Sequence, residues 1–191
     1  MKHLSLTLLA SVAALTASVA QAAPSTYSID PTHTYVTFEA KHFGTSTNRG
    51  RFDKKAGTVT LDVAAKTGKV DVTVETGSIN SGYAAFDNHL KSKDFFNAEA
   101  FPTAQFVGDK FTFDGDKVTA VSGTLTLLGK TQPVEFKAVN FNCYQNPMLK
   151  REVCGGDFEG TITRSAFGMN YGLPFIPDSV KLVIQVEAVK Q

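Results

Sequence analysis

Apolar and polar side chains alternate with a period of two over most of the chain beyond residue 30, the pattern of strands with one buried and one solvated face. Thr34, Val36, Phe38, Ala40 and His42 share one face, and Tyr35, Thr37, Glu39 and Lys41 share the other. The same alternation runs through Val59-Leu61-Val63, Val70-Val72-Val74, Val121-Gly123-Leu125-Leu127 and Val134-Phe136-Ala138. It continues in Phe158-Gly160-Ile162-Arg164 and in Val180-Leu182-Ile184-Val186-Ala188. Ala104-Phe106 and Phe111-Phe113, read as strands about a Gly108-Asp109 turn, bring the expected count to eight or nine.

Turn chemistry joins these strands as hairpins. Asp114-Gly115 sits between apolar residues, and Ala65-Lys66-Thr67-Gly68 links two valine-rich runs. Short, regularly spaced antiparallel strands predict a sandwich or a closed barrel, and closure leaves no strand edge to aggregate. One stretch departs from the alternation. In residues 84–91, Phe86, His89 and Leu90 stand at i, i+3 and i+4, which predicts a short helix that plugs one barrel mouth or merely connects two strands. Ser92 is placed to cap a following turn, and Phe101-Pro102 ends any helix.

The first residues read as an export signal: a basic start, an apolar run from Leu4 to Val19, and small residues around Gln21. Cleavage is expected before Ala23, leaving residues 23–191 as one domain. The apolar run is short for a bilayer span of roughly 20 residues, and nothing later is apolar for long enough to be a transmembrane segment. Without Lys2, basic and acidic residues balance at 18 each, and no strip of Lys or Arg is built to neutralise phosphates, which argues against nucleic acid as a partner. Export to the periplasm places Cys143 and Cys154 where thiols oxidise, so a disulfide is expected between them.

The chemistry-bearing residues are sparse. His33, His42 and His89 show no metal-ligand spacing, and no nucleophile elbow or phosphate loop accompanies them, so neither a metal nor a catalytic set nor a cofactor is expected. Asp30-x-x-His33 in an extended segment would put the two side chains on opposite faces. His42 and Arg164 are different, because each falls on an otherwise apolar face. A buried Arg needs a partner. Either a ligand's polar head meets Arg164, or an internal acid such as Asp30, Asp87 or Asp94 does. Fifteen phenylalanines and no tryptophan supply the apolar interior.

Dispersed motifs then add up. Tyr27-x-Ile29-Asp30-Pro31-x-His33 and Phe38-x-x-Lys41-His42 resemble the opening of the YceI-like lipid-binding proteins. Gly50-x-Phe52, Ser78-Ile79, Asp87-x-His89-Leu90-x-Ser92-x-Asp94-Phe95-Phe96 and Phe101-Pro102-x-x-x-Phe106 are similar to the family's middle. Gly123-x-Leu125-Thr126-x-x-Gly129-x-Thr131-x-Pro133-Val134 and Arg164-x-x-Phe167-Gly168 are similar to its end.

The resemblance implies an all-β, extended eight-stranded antiparallel lipocalin-like barrel with a short helix near one mouth. It implies a long-chain isoprenoid or fatty-acid-like lipid as the partner, carried in the periplasm, and a homodimer as one assembly. Phe86 stands where the family often has Arg, which moves the expected head-group contact to Arg164. The ligand-binding residues expected on this basis are Phe38, Ala40, His42, Phe52, Phe95, Phe96, Phe106, Leu125, Arg164 and Phe167. Two other readings differ in kind: an enzyme acting on such a lipid through His42 or His89, and a ligand-free structural or stress-response module.

Overall fold

The computed structural model describes residues 23–191; the expected export signal, residues 1–22, lies outside them. The strands are β1 (Ser25–Ile29), β2 (Tyr35–His42), β3 (Ser46–Phe52), β4 (Lys55–Asp62), β5 (Thr67–Glu75) and β6 (Ile79–Asn80). After the helix α1 (Ala84–Lys91) come β7 (Thr103–Asp114), β8 (Lys117–Leu127), β9 (Lys130–Asn146), β10 (Arg151–Thr163) and β11 (Ser179–Lys190).

Eleven segments make an eight-stranded barrel, because the first six are three long strands, each broken once. β1 pairs with β4 (Tyr27↔Val59) and β2 with β3 (Phe38↔Gly50), while β5 and β6 continue along β4 and β3 (Gly57↔Val72, Phe52↔Ile79). β1 and β2 both lie on β11, at Ile29↔Ala188 and Val36↔Ile184. The β1–β11 pairing closes the ring β1-β4-β5-β7-β8-β9-β10-β11, antiparallel throughout. The expected Gly108-Asp109 turn is absent. β7 runs straight through those residues and absorbs them as a bulge between Gly108 and Lys110; a Gly-Asp pair serves a bulge as well as a turn.

Alternating connections sort the turns to two ends. The turns 43–45 and 128–129, helix α1 and residues 164–178 lie at one, the helix end. The turns 63–66, 115–116 and 147–150 lie at the other, the hairpin end, with the start of β1 and the finish of β11. Helix α1 has the bounds that its spacing predicts. Leu90 is buried and Phe86 half-buried against the core, and the Asp87 carboxylate accepts the Ser81 amide and hydroxyl before the first turn. The Ser92 hydroxyl accepts the Asp94 amide, capping the turn that follows.

The helix end is solid. Phe38, Phe52, Leu90, Phe96 and Phe167 fill it, with the Phe96 ring edge-on to Phe52 at 5.3 Å and tilted to Phe38 at 6.4 Å. Burying each such side chain stabilises the fold by about 1.5–3 kcal/mol. At the hairpin end β9 and β10 extend beyond their neighbours, and Cys143 and Cys154, directly opposed in register, form a disulfide.

Candidate functional site

The interior is not filled throughout. From mid-barrel to the hairpin end the inward faces surround a cavity in which about 170 Å³ is open to the centre of a water molecule, where a single water needs about 15 Å³. Val70, Val72 and Val74 of β5 and Leu182, Ile184 and Val186 of β11 line it. Phe106 and Phe136, edge-on at 5.0 Å, line it where the packed half begins.

No lining residue is charged, and the wall carries two hydroxyls, both engaged. The Tyr27 hydroxyl donates to Glu152 at 2.5 Å, and burial together with that acceptor pushes its pKa up to about 12. The Thr34 hydroxyl donates to the Glu187 carbonyl and accepts the Glu187 amide, both at 3.2 Å. Every buried side-chain N or O among the described residues has a hydrogen-bond partner. The wall therefore presents an apolar surface with no polar group left to offer, a surface suited to hydrocarbon rather than water.

Of the ten expected ligand residues, Phe106 and Leu125 line this cavity. Phe38, Phe52, Phe96 and Phe167 belong to the packed helix end, with Ala40 half-buried beside them. Phe95 sits over the barrel mouth, 5.0 Å from the His89 ring and 5.3 Å from Tyr171. His42 does not point inward. Its strand runs past the rim, so the inward phase of the pattern ends in solvent, where its ring meets Phe43 edge-on. His89 pairs with Asp94 at 3.0 Å outside the barrel.

Arg164 is buried, as its position on an apolar face requires, but it meets neither a pocket nor Asp30, Asp87 or Asp94. The chain leaves β10 at Thr163 and turns into a 3-10 helix, Arg164–Phe167. The guanidinium there donates to the carbonyls of Met169, Tyr171, Ile176 and Pro177 at 2.8–3.0 Å. Burial lowers its pKa, and Asp178 counters this. Asp30 and His33 also depart from expectation: the chain turns between them, and His33 Nδ1 lies 2.8 Å from the Asp30 carboxylate. Burial would raise the Asp30 pKa, but hydrogen bonds from Thr32 and His33 outweigh it and hold the carboxyl at about 2.

The missed lining residues are chiefly valines, leucines and isoleucines. Their strands are visible in the sequence, yet alternation marks only which face is inward and not whether the space beyond it is filled. A run such as Val70-Val72-Val74, with no aromatic on the inward phase, is the signal that could have located the void.

Comparison with known proteins fixes the family. The YceI-like domain model matches residues 27–188. The chain belongs to the YceI-like family. Among its YceI-like relatives, Protein YceI of Escherichia coli O157:H7 is 34% identical over 182 residues, covering 94% of each chain. The crystal structure of Campylobacter jejuni YCEI protein superposes with a TM-score of 0.69 at 27% identity, covering 79% of this chain and 90% of that one. A polyisoprenoid binding domain from Saccharophagus degradans shares the fold at a TM-score of 0.58 and 14% identity, over 86% of this chain and 98% of that one.

Proposed function

We propose that this YceI-like protein is a carrier that holds the tail of a long-chain lipid in the hairpin-end cavity, without acting on it chemically. The observation that carries this reading is a closed tube whose void is walled by hydrocarbon, with both of its hydroxyls already engaged. Burial is worth about 0.8 kcal/mol per methylene, so ten methylenes supply about 8 kcal/mol of gross driving force before ordering costs. Tail burial then dominates affinity, and tails of similar width compete on nearly equal terms.

An isoprenoid chain is the preferred occupant. The shared fold of the Saccharophagus degradans domain, described as binding polyisoprenoid, supports that choice. With Arg164 committed to backbone carbonyls, the polar head is left at the hairpin end in solvent. The disulfide and the signal-like start support a periplasmic setting. Organic extraction of the purified protein followed by mass spectrometry should yield a stoichiometric long-chain lipid. Protein that is empty and refuses both polyprenols and fatty acids would overturn the reading.

A further inference from the structure

A tail can enter a tube through its end or through its wall, and the backbone pairing is not uniform around the circumference. β5 pairs with β7 from Glu75↔Thr103 only as far as Val70↔Gly108. On the other flank, pairing of β8 with β9 begins at Ala120↔Lys137. Residues 109–119, the outer part of the β7–β8 hairpin, are therefore bonded to each other and to neither neighbouring strand.

The base of this free hairpin is built to bend. Gly108, the last residue of β7 paired with β5, faces Gly123 of β8, and a Cβ on Gly123 would stand 2.1 Å from the Val107 carbonyl oxygen, so the two backbones meet with no side chain between them. The register shifts twice, between Gly108 and Lys110 and again between Thr112 and Phe113. Such bulges concentrate bending and twist in one strand.

Contacts on both faces close the gap. On the inside the Phe111 ring lies across Gly68 of β5, 2.9 Å from where a Cβ would be, and both Phe111 and Val118 line the cavity. On the outside Lys66, from the β4–β5 turn, donates to the Gly115 carbonyl and to Asp116 at 2.9 Å, and stands 5.6 Å over the Phe113 ring. Lys66 and Asp116 are both exposed, 44% and 87% at the side chain, so water can replace their contact.

We propose that residues 109–119 form the door of the cavity: the hairpin swings about Gly108 on its β5 side, carries Phe111 off Gly68 and opens a lateral slot between β5 and β7, while β8 from Ala120 onward stays paired with β9. The lipid tail passes through that slot, with Lys66 as its latch. This inference rests on the reading of the cavity as a lipid site.

The test uses the full folded protein with its native disulfide intact and cis-parinaric acid as the probe. Lys66→Cys/Asp116→Cys is bridged with a short bis-maleimide and compared with the same variant capped by N-ethylmaleimide. Bridging should slow probe uptake, and release from preloaded protein into acceptor vesicles, at least tenfold. Lys66→Ala should release at least threefold faster than the native protein, and its amides over residues 110–118 should exchange with deuterium faster. If bridged and capped proteins load and empty at equal rates, or if Lys66→Ala leaves release unchanged, the door is elsewhere and the inference falls while the lipid reading stands. If native protein takes up no probe at all, the lipid reading falls and the door with it.

Discussion

Arg164 gives four of its donors to the carbonyls of one short segment, residues 169–177, and so serves as a core for a loop too small to have an apolar one. Arg164→Met strips partners from those carbonyls. It should cost about 3 kcal/mol or more, seen as a fall in Tm of about 6–12 °C. Arg164→Lys should rescue little, since a point charge cannot span four acceptors in a plane. Asp30 offers a pH signature. Its folded pKa lies below its unfolded one, so its contribution is complete above pH 4 and disappears as pH falls through about 2. Asp30→Asn should lower Tm by about 2–4 °C at pH 7 and by only a small fraction of that at pH 2, as read by thermal melts across that range. In the cavity wall, Val72→Phe adds bulk where there is room for it. Probe affinity should drop at least tenfold with Tm nearly unchanged, because overpacking strains a core only when no void receives the added atoms. Burial of Arg164 was legible at this scale; its partners were not, because they are backbone groups of a segment far from any strand pattern.

At the level of elements, periodicity located α1 to the residue and most of the strands, because burial on one face leaves a phase that sequence preserves. It did not show that β1 and β2 continue one another along β11, since residues 30–34 break the pattern and the continuity lies in the partner strand. Nor did it separate a bulge from a turn at Gly108-Asp109, where both conformations favour the same residues. The β9–β10 pair extends beyond the barrel and is tied by its disulfide across 11 positions of sequence. Cys143→Ser/Cys154→Ser should lose about 3 kcal/mol of stability in denaturant titrations, most of it through a freer unfolded chain. Native protein should show no thiol reactive to a colorimetric reagent until it is reduced.

Across the molecule, one half of the tube is packed solid while the other is hollow, a division of labour that no single strand reveals. The aromatic wealth of the sequence could not separate the two halves, since Phe38, Phe52 and Phe96 fill the solid one while Phe106, Phe136 and Phe158 line the void. A lipid that fills the void binds the folded state alone. At 100 times its Kd it should stabilise the protein by about 2.7 kcal/mol and raise Tm by about 5–10 °C, in proportion to the logarithm of its concentration. The seam between β1 and β11 has a further meaning for biogenesis. β1 is joined in the ring to β11, far along the sequence, so the ring stays open until residues 179–190 have left the ribosome. Until then the polypeptide remains threadable, with no closed barrel to lose.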